Sequence, residues 1–146
     1  MIFSIREVNS KDSKSCYELD LGSIKHWNQT QWENELEKDY VTAIGIHLNK
    51  SIYGVCVFHK IFDEVEIRYI SVHPSYKRKG LGKKLIYKIL EKCKNENIKR
   101  IFLEVSLKNK QACSFYDHFG FQTVSIRKKY YKDGSDALLK EKMLNK

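Results

Sequence analysis

The 146-residue chain, with 42% apolar side chains, is long enough to bury one hydrophobic core without disulfides or metals, and too apolar to be disordered. Its 27 Lys and Arg against 18 Asp and Glu give a net charge of +9. That charge suits either an anionic partner (nucleic acid, a ribonucleoprotein, a phosphate-rich cofactor) or a Lys-rich solvated surface.

In chain order, Ile2 to Val8 alternates Ile2, Ser4, Arg6 against Phe3, Ile5, Glu7 and reads as a strand. Asp12 to Trp27 and Gln31 to Leu36 read as short helices around a polar break. Thr30 is placed to cap the second, with Glu33 completing a capping box. Val41 to Leu48 and Ile52 to Ile61 are apolar-rich strands joined at the turn Asn49-Lys50-Ser51. Glu64 to His73 is a further strand, stopped by Pro74. The strongest helical stripe is Leu81, Leu85, Ile86, Ile89, Leu90 and Cys93, with Lys83, Lys84, Lys88, Glu91 and Lys92 on the opposite face. Arg100 to Leu107 alternates again. Asn109 to Phe119 reads as a helix closed by Gly120. Phe121 to Tyr131 and Ala137 to Leu144 read as two last strands around Asp133-Gly134-Ser135.

The order β-α-α-β-β-β-α-β-α-β-β implies an α/β (α+β) fold, a mixed sheet with helices packed on it. One proline and seven glycines exclude collagen-like and low-complexity chains. The four cysteines form no C-x-x-C pair, so they read as reduced core thiols. The five histidines show no metal-ligand spacing, and no metal is expected. No signal peptide and no apolar run near the ~20 residues that span a bilayer are present, so a cytoplasmic protein is expected.

The segment Ser75-Tyr76-Lys77-Arg78-Lys79-Gly80-Leu81-Gly82-Lys83-Lys84 joins a strand to the strongest helix. Gly80 and Gly82 let the backbone turn and approach a ligand closely. The first helical amides and the helix dipole then form an anion site, and Lys77, Arg78 and Lys79 add charge beside it. A P-loop is excluded because the glycines are too close and no Ser or Thr follows the lysines. The dinucleotide fingerprint fails because its third glycine would fall on Leu85.

The stretch from Val72 to Gly82 resembles the acetyl-CoA motif of the GCN5-related N-acetyltransferase (GNAT) superfamily. Lys77 stands where Gln or Arg is usual, which keeps the charge but loses the planar fork. Leu103-Glu104-Val105-Ser106 through Asn109, then Phe115-Tyr116-Asp117-His118-Phe119-Gly120-Phe121, is similar to its second motif. The resemblance covers nearly the whole chain. It implies one domain over residues 1–146, with a mostly antiparallel sheet of about seven strands flanked by about four helices. Trp27, Gln31 to Leu36, and Ile126 to Tyr131 with Asp136-Ala137 are similar to bacterial ribosomal-protein-alanine N-acetyltransferases (RimI-like). They also resemble the catalytic subunits of archaeal and eukaryotic N-terminal acetyltransferases.

What the resemblance implies is acetyl transfer from acetyl-CoA to the α-amine of a protein N-terminus, that of a ribosomal protein in the first place. A lysine side chain, polyamine or other small amine is the alternative acceptor. A non-catalytic basic RNA- or ribosome-binding module is the reading from another class. No direct nucleic-acid requirement, no membrane, and a monomer or weak dimer are expected. Residue by residue, Glu104 matches the family's base, acting through water, and Tyr116 the tyrosine facing the CoA sulfur. Ile70 and Val72 match the strand whose backbone pairs with pantetheine, and Asn109 the residue bonding that arm. Lys77, Arg78, Lys79, Gly80, Leu81, Gly82 and Lys83 would hold the pyrophosphate. Trp27, Glu66, Tyr76, Tyr130 and Tyr131 fall on the acceptor side, with Glu66 a second candidate base and the paired tyrosines placed to hold the substrate's N-terminal backbone.

Overall fold

The alternating stretches become strands and the helical stripes become helices in the expected order. In the computed structural model, which describes residues 2–77 and 79–144, these are β1 (Ser4–Val8), α1 (Ser13–Leu21), α2 (Gln29–Glu37), β2 (Val41–Leu48), β3 (Ser51–Ile61) and β4 (Glu64–Val72), then α3 (Leu81–Asn95), β5 (Arg100–Ser106), α4 (Lys110–His118), β6 (Gln122–Arg127) and β7 (Ala137–Met143). Short 3-10 turns cover Ser10–Asp12 and Pro74–Tyr76. The seven strands form one sheet in the order β1-β2-β3-β4-β5-β7-β6. The β4–β5 pairing is parallel, and the other five pairings are antiparallel. The element order implies the mixed sheet, and the resemblance implies its mostly antiparallel seven strands.

Strand alternation gives the sheet two apolar faces. Leu81, Leu85, Ile86, Ile89 and Cys93 of α3 bury on one face against Ile44, Ile46, Cys56, Ile67, Ile101 and Leu103, joined by Tyr116 of α4 and by Phe119, which caps its C-terminus. Each fully buried Leu or Ile contributes about 1.5–3 kcal/mol, so this stripe fixes α3 firmly on the sheet. On the other face, Cys16, Leu19 and Trp32 of α1 and α2 cover Ala43, Val55, Val57 and Tyr69. All four cysteines are free thiols, and burial pushes Cys16 up to about 12, as it does Cys93.

β4 and β5 pair only at Glu64↔Arg100, Val65↔Ile101 and Glu66↔Phe102, although both strands continue. Opposite this point the β3–β4 register shifts at Val57/Phe58, which leaves Arg68 as an extra residue on β4. Such a bulge bends and twists its strand. β4 stays paired with β3 as far as Gly54↔Val72, so its far half parts from β5 and a gap opens in the sheet.

Two local expectations are corrected. The first helix ends at Leu21, short of Trp27, because Asp20 captures the chain beyond Gly22. The second helix starts two residues earlier than expected: Asn28, not Thr30, is its cap, with Gln31 completing the box in place of Glu33. Among the described residues no helix is long and apolar enough to cross a membrane.

His47 on β2 is 2% exposed, and among the described residues neither ring nitrogen has a hydrogen-bond partner. Burial, then the charge of Arg6, lowers its pKa, against smaller upward pulls from Asp12 and from the Gly45 main-chain oxygen near the ring. The unfolded chain, with its histidine near 6.5, therefore binds the proton first as pH falls. The stability held by neutral His47 is present above about pH 6.5 and is lost on acidification towards the lower folded value. Tm is expected to fall more steeply between about pH 6.5 and 5 in the native chain than in His47→Leu. Equal slopes would remove His47 as the cause.

Candidate active site

The gap between β4 and β5 widens into a cleft of about 440 Å³. Ile70, Ser71 and Val72 form one wall, and Asn109, Gln111, Ala112, Phe115 and Tyr116 the other. Gly80, Leu81, Gly82 and Lys83 close one end, and Ser23 and Ile24 reach in from the loop after α1.

The glycines differ in what they supply. Gly80 caps α3 at φ +80, and a Cβ there would meet nothing within 4 Å. Glycine is needed for that left-handed backbone, not for space. At Gly82 a Cβ would touch the Phe115 ring at 3.5 Å and Val72 at 3.9 Å, so the helix backbone itself borders the cleft. Lys84 N–H makes a helical bond to Gly80 O at 3.0 Å. The amides of Leu81, Gly82 and Lys83 precede the helical acceptors and present their N–H groups at the helix end. With the dipole of a 15-residue helix behind them, they favour an anion. Lys77 and Lys83 line the same end. Lys79 stands in the exposed turn before Gly80, and Arg78 lies outside the described residues.

Backbone direction along β4 is equally informative. His73 N–H donates to Tyr53 O of β3 at 2.8 Å. Alternation along an extended strand turns the N–H and C=O of Val72 and Ile70 the other way, towards the gap left by β5. They offer a ladder edge to an extended ligand lying there. Opposite, Asn109 caps α4, its Oδ1 accepting from Ala112 N–H at 3.1 Å, which leaves its NH₂ to donate. Tyr116 is 5% exposed, packed on Phe115 and Phe121, and burial raises its phenol pKa. It therefore remains a neutral O–H donor at physiological pH.

A second group gathers on the sheet face opposite Leu103 and Val105. Glu104 projects there and meets Arg127 Nε at 3.4 Å. The Arg127 guanidinium lies 5.2 Å from the centre of the Tyr130 ring, and Tyr131 stands edge-on to Tyr130. Burial, then the charge of Glu104, raises the Tyr131 pKa, so this hydroxyl too stays protonated. The loop that carries the tyrosines is pinned by Leu107 N–H to Asp136 O at 3.0 Å, Lys129 N–H to Asp136 Oδ1 at 3.0 Å and Ser106 Oγ to Ser135 Oγ at 2.9 Å.

The remaining expected acceptor residues divide. Trp27 stacks on Tyr69 and meets Trp32 edge-on, on the same sheet face as Glu104. Glu66, like Glu104, does not line the cleft: with Val65 and Ile67 packed in the α3 core it stands on the same sheet face as Glu104, where β4 and β5 are still paired, and it bonds Arg68 at 3.3 Å. Tyr76 lines the cleft beside Lys77, with its ring among Phe3, Tyr53 and His73, apart from the tyrosine pair. Sequence reasoning missed Ser23, Ile24, Ser71 and Arg127. It also missed Asp20, a fully buried carboxylate whose partners lie far along the chain.

Residues 6–121 match the Acetyltransferase (GNAT) family. A Bacillus subtilis (strain 168) protein is 32% identical over 139 residues, covering 93% of this chain and 92% of its own. The [ribosomal protein bS18]-alanine N-acetyltransferase of Escherichia coli (strain K12) is 29% identical over 140 residues, covering 93% and 94%. The crystal structure of the ribosomal-protein-S18-alanine N-acetyltransferase from Escherichia coli superposes with a TM-score of 0.92 at 21% identity, covering 99% of this chain and 96% of that one.

Proposed function

The chain belongs to the acetyltransferase (GNAT) family, and we propose that it moves the acetyl group of acetyl-CoA onto the α-amine of a protein N-terminus, with the N-terminal alanine of ribosomal protein bS18 as the acceptor of first choice. The observation that carries this reading is the cleft itself. A helix N-terminus suited to a pyrophosphate closes one end of a strand edge suited to pantetheine, and the neighbouring sheet face carries Glu104 and Tyr131.

Each residue then has a task. Leu81, Gly82 and Lys83 amides, with Lys77, hold the pyrophosphate. Ile70 and Val72 backbone groups and the Asn109 amide align the pantetheine arm. The Val72 N–H polarises the thioester carbonyl, where charge develops in the tetrahedral state. Tyr130 and Tyr131 hold the peptide backbone behind the amine. An α-amine near pKa 8 is about one-tenth neutral at pH 7, so Glu104, through a water, takes the ammonium proton before attack. The new C–N bond forms as the C–S bond breaks; the neutral Tyr116 hydroxyl protonates the departing thiolate, and the second proton shed by the nitrogen restores the phenol.

The test is chemical mapping. The protein is incubated with acetyl-CoA and unacetylated ribosomal proteins, and the N-terminal peptides are sequenced by mass spectrometry. Acetyl on an N-terminal alanine is expected. Acetyl only on lysine side chains would move the acceptor to the alternative class.

A further inference from the structure

Asp20 is wholly buried, and every group aimed at it donates. His26 N–H reaches both carboxylate oxygens at 3.0 Å, Trp27 N–H reaches Oδ2 at 2.9 Å, and Trp32 Nε1–H reaches Oδ2 at 3.0 Å. Tyr69 Oη completes the set at Oδ1, 2.9 Å away. Amide and indole N–H groups cannot accept, so this shell suits an ionised carboxylate that only accepts. Although burial pushes the carboxyl up, these bonds together bring it below its usual range.

The direction of the next bond follows. Tyr69 has one hydroxyl proton, and Asp20 takes it. The 2.8 Å contact between Tyr69 Oη and Ser71 Oγ must then be donated by Ser71. Ser71 in turn has one proton, now pointed at Tyr69. Among the described residues no donor reaches Ser71 Oγ, and Ser71 lines the cleft. Its hydroxyl therefore meets a ligand with lone pairs only.

We propose that Ser71 is a binding residue that accepts a hydrogen bond from the amine N–H of the acyl acceptor, and that Asp20 and Tyr69 are positioning residues that hold its hydroxyl in that sense. This rests on the acetyl-transfer reading of the cleft and names a residue that reading leaves without a task. Two N–H sources exist there, the acceptor amine and the pantetheine amides. The placement favours the amine. Pantetheine lies in the gap against the backbone of Ile70 and Val72, whereas the Ser71 side chain stands out of the sheet on the face that carries Tyr69, Trp27 and Glu104. Asp20 also holds the loop bearing Ser23 and Ile24, because Ser23 N–H and Lys25 N–H donate to its main-chain oxygen at 3.0 and 2.8 Å. One residue thus joins both sides of the acceptor entrance.

The test measures acceptor KM with a peptide beginning in alanine, and acetyl-CoA Kd by calorimetry, for Ser71→Ala, Tyr69→Phe and the double variant. One neutral hydrogen bond corresponds to about a fivefold rise in acceptor KM for Ser71→Ala, with acetyl-CoA Kd unchanged. Tyr69→Phe frees the serine proton to swing into the cleft and is expected to raise KM by about twofold. Added to Ser71→Ala it is expected to change nothing further, since the two act as one unit. An unchanged KM in Ser71→Ala overturns the proposal. So does a weakened acetyl-CoA Kd at unchanged KM, which would assign the hydroxyl to pantetheine. Failure of the native protein to turn over any N-terminal amine would instead overturn the acceptor reading, and this inference with it.

Discussion

Gly82→Glu is expected to abolish acetyl-CoA binding in a protein that still folds. A Cβ at Gly82 meets Phe115 and Val72 at ordinary contact distances, so the backbone accepts a side chain. A glutamate there must extend into the cleft that Gly82 lines. Its carboxylate would reach the helix N-terminus, satisfy the amides that otherwise await the pyrophosphate, and repel the phosphates. Two like charges about 4 Å apart near a protein surface interact by about 4 kcal/mol, which is on the order of a thousandfold in Kd. Gly82→Ala, which adds the contact without the charge, is the control and should retain most of the affinity. Calorimetry with acetyl-CoA reads both. Retained affinity in Gly82→Glu would place the phosphates elsewhere.

Glu104→Gln is expected to lower kcat by about a hundredfold with acetyl-CoA Kd unchanged. The Kd expectation follows from position, because Glu104 lies on the acceptor face with Arg127 and outside the cofactor cleft. The loss should shrink as pH rises past the amine pKa of about 8, since the acceptor then arrives without its proton. A loss that is constant from pH 7 to about 9.5 would show Glu104 acting on something other than the amine proton. An unchanged kcat would remove it as the base.

Local pattern explains which parts of the fold were legible in sequence. The α3 stripe and the alternating strands repeat at their own periods, so Leu81–Asn95 and Val41–Leu48 fall where expected. The second helix carries two overlapping cap patterns, Asn28 with Gln31 and Thr30 with Glu33, and nothing local chooses between them. The end of the first helix depends on Asp20. In sequence it is one acid among several; in the fold Trp32 and Tyr69 close over it from 12 and 49 residues away. The parting of β4 from β5 rests on the bulge at Arg68, which has no residue signature.

The candidate site divides in the same way. Gly80, Gly82, Asn109 and Tyr116 sit in continuous motifs and converge on one cleft. Glu104, Tyr130 and Tyr131 match by resemblance, and Arg127, which meets Glu104 and lies over the Tyr130 ring, brings them together. Glu66 reads as plausible from its strand alone. The extra residue at Arg68 decides that the sheet is still closed where Glu66 sits. Arg127 and Ser71 lie inside stretches that carry the resemblance, but neither has a role there; their roles come from a contact made by another strand and from a bond direction.

Whether an N-terminal amine is the acceptor is decided by thiol release from acetyl-CoA with two matched peptides, one with a free N-terminal alanine and no lysine, the other with a blocked N-terminus and one internal lysine. Turnover on the first alone is the expected result. Turnover on the second alone would contradict the proposed acceptor and assign the protein to side-chain or small-amine acetylation.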